Sequence, residues 1–481
     1  MSASAHGAVF QWNGAAVPFV PGDSVAAALY RNGIRTLAST RKRHLPLGFS
    51  GAYVQGVLGR VDGRPNVRLD LEPAVAGMQV STQNTWPAPG FDILGLARFV
   101  PSRRLRSGFE HPRIFPGGTR RFQVWERILW HLAGVAKPAA RGVPVDSLPG
   151  RRLDVDVLVV GGGPSGRRLA NEAAAAGHRV ALACRGAVPG AFARAMGAPI
   201  PPIDCRVEVV SGIEIFGVYR EGTLAAGAPH DHRLGATVFS MRQLILAVGR
   251  RSMPPLVPGA YLPGVMDAHA ALKLAHDHEV RLGDAVAVLG TGSELDISKR
   301  IESLGTCVVH CGSIRDLRRV EGYRSVRAIH VNRRIACDAV VHCGPWQADP
   351  GLAFQASCEG LLQLTPGAPR ERVTVAVVAD PGEESYMIGT EGLNEALVCP
   401  CMDVTAGEVL EKIAGGETDP EELKRATSCG MGPCQGVPCW SAMAALLDSS
   451  APHRQPSFRA PRRAITVAQA AGLHGLVDPD Q

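Results

Sequence analysis

The chain has 481 residues, a net charge of +7, 46% hydrophobic residues, 55 glycines and 36 prolines, which predicts a loop-rich α/β protein of about two to four domains. Its positive charge is almost all arginine and no basic stripe is interleaved with aromatic residues, so nucleic-acid binding is disfavoured. No apolar run reaches about 18 residues, and we therefore expect no membrane span.

The N-terminus shows no charged-then-apolar leader, and the 12 cysteines show no secretory context. A reducing cytoplasm is therefore the expected location. The first cysteine is Cys184, so the N-terminal third cannot hold a thiolate cluster.

Residues 1–105 are predicted to form a β-grasp-like domain of short strands. An Asn13-Gly14 turn signal follows an apolar strand, a capped amphipathic helix covers 22–30, and 67–71 alternates like a strand. The basic run 41–44 has two interpretations, a contact with an anionic cofactor or partner and a solvated loop. An Arg- and Pro-rich linker, 106–152, follows and contains a short amphipathic helix at 125–134.

A buried parallel strand at 154–160 leads into Gly161-Gly162-Gly163-Pro164-Ser165-Gly166 and then a helix. This strand–GxGxxG–helix order is typical of a dinucleotide-binding fold. Gly161 allows the tight turn, Gly163 lets the backbone approach a pyrophosphate, and Gly166 allows the helix to pack closely on the strand. The helix N-terminus faces the anion.

Arg185 ends the second strand, where the fingerprint requires a carboxylate for the ribose hydroxyls. This arginine favours a 2′-phosphate, a nucleotide held without the usual ribose contact, or a degenerate site. The cofactor candidates here are FAD, FMN or another adenine nucleotide, NAD or ATP.

Two later segments complete this predicted fold. The strand at 241–250 ends in Gly249, and 386–392 is predicted as a final strand whose glycine turn, at Gly389, meets a flavin pyrophosphate. The segment 337–347 is expected to return to the first sheet. We therefore assign 153–257 and 338–395 to a FAD/NAD(P)-type domain.

An inserted second dinucleotide-type domain is predicted at 258–337. Its strand 285–289 is followed by Gly290-Thr291-Gly292, but the third glycine is missing and Glu294 lies where a pyrophosphate would approach. Because a carboxylate repels phosphate, we expect a retained fold with weak or absent nucleotide binding.

Five cysteines fall within the 41 residues from Cys399 to Cys439. A C-x-C pair, Cys399 and Cys401, and a C-x4-C pair, Cys434 and Cys439, are separated by 32 residues. Tetrahedral sulfur suits zinc or an iron–sulfur cluster, and this spacing fits structural zinc sites poorly. We therefore predict a [2Fe-2S] cluster on these four thiolates, with zinc as the alternative. Cys429 is expected to pack or to replace a ligand.

Two short helices are predicted between the cysteine pairs. Thr405 and Glu408 form a capping box for the first, and the second begins near Pro420. They define a small helical module at 396–455, followed by a tail at 456–481.

The run CPCMDVTAGEVLEKI and the run GMGPCQGVPC, from Gly430 to Cys439, resemble the bacterioferritin-associated-ferredoxin-like (BFD-like) [2Fe-2S] module. They are most similar to the version in the A or α subunits of heteromeric amine oxidoreductases. That family comprises sarcosine oxidase, opine, proline and hydroxyproline dehydrogenases, and hydrogen cyanide synthase.

Other segments resemble the same subunits. The run GDSVAAALYRNGIRTLASTRKRHLPLG at 22–48 and the run TQNTWPAPGFDILG at 82–95 are similar to their ferredoxin-like N-terminal domain, here without cysteines. The segment 241–266 is similar to their first flavoprotein fold.

The resemblance implies an electron-transfer subunit that does not itself oxidise substrate. A partner β subunit with its own FAD would oxidise a small amine or imino acid, and electrons would pass through flavin and the [2Fe-2S] cluster. A small third subunit is a further candidate partner. We find no Ser–His–Asp, paired-carboxylate or Cys–His pattern and predict no catalytic residues.

Two alternatives remain open. A stand-alone NAD(P)H-dependent flavin and iron–sulfur reductase requires two intact nucleotide sites, against which Arg185 and Glu294 both count. A non-catalytic scaffold subunit with a structural metal requires zinc rather than iron.

Overall fold

The computed structural model describes residues 8–51, 57–88, 91–99, 120, 122–124, 147–219, 223–361, 374–377, 385–432, 434–447 and 457–477. Within these ranges no helix is both long and apolar enough to cross a membrane. The chain divides into two compact units. The first takes its described residues from Met1–Val143, Pro254–Cys343 and Tyr386–Arg454, and the second from Pro144–Met253, Gly344–Ser385 and Gln455–Gln481.

The N-terminal part of the first unit is a mixed five-stranded sheet. Its strands, in spatial order, are Ala15–Pro18, Val9–Trp12, Gln79–Thr82, Leu58–Val61 and Arg64–Arg68. The Asn13-Gly14 hairpin forms as predicted, with both residues at positive φ. The helix Val25–Arg31 begins at Ser24, whose hydroxyl accepts the N–H of Ala27, and it buries its apolar face. Further short elements are Ala38–Ser39, Pro46–Leu47, Pro87–Ala88, Phe91–Asp92 and the 3-10 helix Ile93–Phe99.

A five-stranded parallel sheet forms the centre of the second unit. In spatial order its strands are Val207–Ser211, Val180–Cys184, Val157–Val160, Gln243–Leu246 and Thr374–Val377. The helix Pro164–Ala175 follows the glycine-rich turn as predicted, and a short helix covers Ala191–Ala195. The final strand of this sheet is Thr374–Val377, so the prediction that 386–392 supplies it is wrong.

A second sheet of four strands covers one face of the parallel sheet. Its strands are Arg151–Asp154, Thr237–Ser240, Leu224–Pro229 and Ile213–Tyr219, and the helix Gly351–Leu361 joins the same apolar core. The sequence at 200–240 has no clear periodicity, and it does not predict these strands. The strands Ile213–Tyr219, Leu224–Pro229 and Thr237–Ser240 are mostly buried on both faces. They therefore lack the alternation of apolar and polar residues that marks a half-exposed strand.

The residues after 457 belong to this second unit rather than to a free tail. Arg462 forms an ion pair with Asp349, and Gln469 donates from its side-chain amide to the carbonyls of Pro229 and Leu234. The helix Val467–Ala471 begins at Thr466 with a capping box. Two strands, Arg250–Ser252 and Trp346–Ala348, pair in the same unit.

The second dinucleotide-type fold lies in the first unit. Its parallel sheet contains Val265–Asp267, Ala339–Cys343, Val286–Gly290 and Val308–Ser313 in spatial order. The helices of this fold are Ala268–Leu272, which continues as a π-helical turn Lys273–Asp277, and Glu294–Ser303. An antiparallel sheet of Arg319–Gly322, Val326–His330 and Arg334–Ala336, preceded by the 3-10 turn Ile314–Asp316, completes it.

The strand Ala339–Cys343 corrects the predicted domain boundary. It pairs with Val286–Gly290 and Val265–Asp267, so the prediction that 337–347 returns to the first sheet is wrong. All five residues of this strand are buried. A buried apolar strand shows no sequence feature that distinguishes one parallel sheet from another, because its pairing partners are distant in the chain.

The cysteine-rich module of the first unit is small and helical. A hairpin of Leu397–Cys399 and Val404–Thr405 is followed by the helices Ala406–Ala414, Pro420–Thr427 and Cys439–Leu446. The 3-10 turn Leu393–Glu395 precedes it. The predicted capping box is present, since Thr405 Oγ1 accepts the N–H of Glu408 and the Glu408 carboxylate accepts the N–H of Thr405. The predicted helix at 125–134 and most of the predicted linker lie outside the described residues.

The glycine-rich turn offers a matched pair of substitutions. A methyl group at Gly166 would lie 1.9 Å from the carbonyl oxygen of Gly161, whereas one at Gly163 meets nothing within 4 Å. We expect Gly166→Ala to lower the free energy of unfolding by about 1–3 kcal/mol through overpacking. Gly163→Ala should leave stability unchanged in denaturant melts, and equal losses in both variants would contradict this packing.

Candidate metal centre and nucleotide sites

The C-x-C pair lies on the small hairpin at the start of the cysteine module. Cys399 ends its first strand and Cys401 lies in its turn, and both side chains are buried. Asp403, also in the turn, adopts φ +55°, a left-handed conformation that Asp tolerates better than most residues. The turn therefore directs two sulfurs toward the interior of the module.

The loop at 429–439 supplies three more thiols around a buried tryptophan. Gly430 and Gly436 both have positive φ, and a methyl group at Gly436 would lie 2.3 Å from Trp440 Nε1. The indole thus packs directly on the glycine backbone. Lys424 Nζ lies 5.5 Å from the centre of the indole ring, within the range of a cation–π contact.

All five cysteines of the module converge. The sulfurs of Cys399, Cys429 and Cys439 lie within 4.8 Å of one another, and Cys401 Sγ lies 3.5 Å from Cys434 Sγ. The four predicted ligands are therefore brought together, and Cys429 joins them. The sequence leaves Cys429 outside the predicted ligand set because its spacing is ambiguous: the interval 429–434 has the same length as 434–439.

Burial and mutual contact shift the pKa values of these thiols in opposite directions. Hydrogen bonds from neighbouring thiols, Cys401 first, hold the pKa of Cys399 and of Cys434 well below the usual range. Burial raises the pKa of Cys401 and of Cys429 well above it. Several thiolates cannot share a dry pocket unless a metal compensates their charge. The donor set therefore fits a thiolate-bound metal or cluster.

The basic run 41–44 does not form a solvated loop. Arg43 Nη1 lies 2.6 Å from the carboxylate of Asp403, and His44 Nδ1 lies 3.0 Å from Asp92 Oδ2. The anionic group facing this run is therefore within the chain, two residues after Cys401. No sequence signal identifies Asp403, because its partner is 360 residues away.

The first nucleotide site has the backbone that its motif predicts. Gly161 adopts φ +116°, and open space faces Gly163 at the start of the helix that contains Pro164 and Ser165. Gly249, at φ +70°, also faces open space. This geometry fits the close approach of a phosphate to the backbone.

The rest of this site departs from the usual pattern. The strand Val180–Cys184 is followed by Arg185, which lies in the same unit as the half-buried Glu214. Arg167 donates to the carbonyls of Pro189 and Pro201, so it fastens the loops around the glycine turn. Among the described residues no carboxylate directly follows this strand, which leaves the nucleotide unassigned.

Gly389 does not have the predicted environment. Its N–H donates to the carbonyl of Leu256, 3.0 Å away. Because its amide is already bonded, it is not available to a flavin pyrophosphate. The predicted role of Gly389 is therefore wrong.

The second dinucleotide-type fold carries its own anion at the phosphate position. Glu294 Oε2 accepts the N–H of Gly292 at 2.7 Å. A methyl group at Gly290 would lie 2.6 Å from the same carboxylate oxygen. The Glu294 carboxylate thus accepts the backbone N–H that a pyrophosphate would use. This contact is consistent with the expectation that the second fold binds a nucleotide weakly or not at all.

Two segments match known families. Residues 397–449 match the BFD-like [2Fe-2S] binding domain, and residues 8–85 match the 2Fe-2S iron-sulfur cluster binding domain, although residues 8–85 contain no cysteine. The crystal structure of L-proline dehydrogenase from P. horikoshii has the same fold, with a TM-score of 0.69 over 97% of this chain and 98% of that chain at 18% identity. The predicted fold class, an α/β multidomain chain with a ferredoxin-like N-terminal domain and a BFD-like module, is confirmed.

Curated proteins of similar sequence indicate which kind of subunit the chain resembles. The alpha subunit of sarcosine oxidase from Rhizobium meliloti (strain 1021) is 27% identical over 410 residues, which are 78% of this chain and 39% of that protein. The A subunit of opine oxidase from the same organism is 33% identical over 82 residues, 16% of this chain and 18% of that protein. The chain is thus a homologue of sarcosine oxidase alpha subunits, as its sequence predicted. The matched segments cover 39% of the sarcosine oxidase subunit and 18% of the opine oxidase subunit.

The packing of Trp440 on glycine can be tested with a matched pair. Gly436 and Gly416 both have positive φ, but only a methyl group at Gly436 would meet the indole. We expect Gly436→Ala to reduce the bound metal per chain and to lower stability more than Gly416→Ala, which adds backbone strain alone. Metal analysis and thermal melts of both variants test this, and equal effects would contradict it.

Proposed function

We propose that this chain is the electron-transfer and cofactor-binding subunit of a heteromeric flavin-dependent amine or imino-acid oxidoreductase. The observation that carries the proposal is the convergence of five buried thiols in a module that matches the BFD-like [2Fe-2S] binding domain. The names of the relatives, an alpha subunit of sarcosine oxidase and an A subunit of opine oxidase, support the amine chemistry and the heteromeric assembly.

The proposed ligands are Cys399, Cys401, Cys434 and Cys439. The close pair Cys401 and Cys434 suits one iron, and two of the three mutually close thiols suit the other. Cys429 is the geometric competitor of Cys439, because both lie beside Cys399. When bound, the cluster would supply one-electron transfer, and these buried residues would hold it.

Tyr386 is half-buried and belongs to the same unit as the thiol cluster. Its hydroxyl donates to the carbonyl of Pro254 at 2.6 Å, and its pKa is raised by burial and then by the charges of Cys439 and Cys429. A phenol that responds to both thiols lies near them. Exclusion of water on this side would protect sulfide and iron from hydrolysis.

The substrate and the partner belong to the same proposal. An FAD-containing β subunit would oxidise a small amine, and a small third subunit is a further candidate. Among the described residues we assign no catalytic acid, base or nucleophile. At the first dinucleotide fold, Gly161, Gly163, Gly166 and Gly249 would hold a flavin or an adenine nucleotide, with Arg185 favouring a ligand that carries extra phosphate.

The stand-alone reductase is the weaker candidate. It requires an NAD(P)H site besides the flavin site, and Glu294 already accepts the Gly292 amide at the second fold. An anion at this position opposes pyrophosphate binding. The scaffold alternative depends on the identity of the metal, which metal analysis determines.

Anaerobic purification with metal analysis and a visible spectrum tests the central proposal. We expect about two irons per chain with sulfide-dependent absorbance. Cys434→Ser should abolish this absorbance, because Cys434 is a proposed ligand whose sulfur lies 3.5 Å from that of Cys401. Zinc in place of iron would overturn the electron-transfer function and favour the scaffold.

Serine substitutions of two neighbouring cysteines test which of them binds the cluster. We expect Cys439→Ser to lose the iron and Cys429→Ser to retain it, as judged by iron content and the EPR spectrum of the reduced protein. The reverse result would keep the cluster but exchange Cys429 for Cys439 in the ligand set.

The second dinucleotide-type fold can be tested for NAD(P)H oxidation. The isolated chain should not oxidise NADH or NADPH with an artificial acceptor, because Glu294 already accepts the Gly292 N–H. Rapid NADPH oxidation by the wild-type chain, followed at 340 nm, would favour the reductase.

A further inference from the structure

The turn that carries Cys401 is bound by a loop of the N-terminal domain. We call residues 40–45 the clamp loop. One oxygen of the Asp403 carboxylate accepts the Thr40 hydroxyl at 2.5 Å, the Lys42 N–H at 3.0 Å and the Arg43 N–H at 2.5 Å. Asp403 is fully buried and lies two residues after Cys401. The hairpin turn therefore depends on donors from a distant part of the chain.

Arg43 extends this contact beyond the turn. Its Nη1 donates to the second carboxylate oxygen of Asp403 at 2.6 Å and to the Asp403 carbonyl at 3.0 Å. Its Nη2 lies 3.3 Å from Glu408 Oε1. Because Glu408 also caps the following helix, one guanidinium joins the end of the C-x-C turn to the start of that helix.

The clamp loop is itself held in shape. Short strands at Ala38–Ser39 and Pro46–Leu47 pair on either side of it, and Thr40 Oγ1 accepts the Leu45 N–H at 3.0 Å. A loop closed by a hairpin presents its amides in fixed directions. It can therefore hold the Asp403 carboxylate in a single orientation.

We infer that Arg43 and Asp403 are positioning residues for the metal centre, through which the cysteine-free N-terminal domain holds the C-x-C turn in its metal-binding shape. The inference rests on the proposed function, because it requires an iron–sulfur cluster on this turn. Outer-shell groups of this kind orient the ligands and tune the metal. The N-terminal domain thus contributes to the cluster without supplying a ligand.

The clamp loop contains a matched control. Lys42 offers the Asp403 carboxylate only its backbone N–H, which Lys42→Gln retains, whereas Arg43→Gln removes the guanidinium. Both substitutions remove one positive charge from adjacent positions. A general effect of charge would therefore change both variants, and a positioning effect would change only Arg43→Gln. Arg43→Lys keeps the charge but loses the two-nitrogen geometry.

The experiment uses the full chain purified anaerobically with its cluster. We measure the rate at which a strong iron chelator bleaches the visible absorbance, and the reduction potential by a dye-mediated titration followed by EPR. For Arg43→Gln we expect bleaching about 10- to 100-fold faster and a more negative potential, because the cluster loses ordering contacts and a nearby cation. Arg43→Lys should recover part of both changes, and Lys42→Gln should match the wild type.

The possible results distinguish a failure of the positioning role from a failure of the proposed function. A wild-type chain without iron would overturn both. A wild-type cluster with equal behaviour of Arg43→Gln and Lys42→Gln would overturn the inference alone. If Arg43→Gln does not fold, Thr40→Val removes the hydroxyl that donates to Asp403 and that accepts the Leu45 N–H within the clamp loop. Faster bleaching in that variant supports the inference, whereas an unchanged rate and potential overturn it.

Discussion

The constraint on which the rest of this structure depends is the burial of five sulfur atoms in one small module. Cys399, Cys401, Cys429, Cys434 and Cys439 are all buried, and only a multivalent cation or cluster can stabilise most of them as thiolates at once. The surrounding module serves this requirement. Its glycines let the backbone pack on Trp440. Two of its helices begin at Thr405 and Asp419, whose side chains accept backbone N–H groups of the first turn.

The ferredoxin-like N-terminal domain contains no cysteine, but it binds the turn that carries Cys401. It matches a cluster-binding family, yet it contacts the cysteine module through hydrogen-bond donors rather than sulfur. The ion pair of Arg43 with buried Asp403 places the clamp loop against the C-x-C turn. A domain that has no ligands can therefore still influence a neighbouring metal centre.

The two dinucleotide-type folds differ in the charge that they present to a phosphate. The first leaves open space at Gly163 and carries Arg185 after its second strand, whereas the second bonds its Gly292 amide to Glu294. One fold is thus suited to an anionic ligand, and the other satisfies its helix N-terminus internally. This asymmetry agrees with the proposal that the first fold, and not the second, binds the nucleotide.

Features determined by neighbouring residues were predictable from the sequence alone. These are the Asn13-Gly14 hairpin, the capping box of Thr405 and Glu408, the glycine turn before Pro164 and the cysteine spacing, because each depends on contacts within a few residues. Tertiary structure alone decided the sheet to which Ala339–Cys343 belongs, the loss of a free amide at Gly389, the entry of Cys429 into the thiol cluster and the pairing of Arg43 with Asp403. Each of these depends on partners far apart in the chain, whose pairing is set by burial and by the satisfaction of buried polar groups rather than by local pattern.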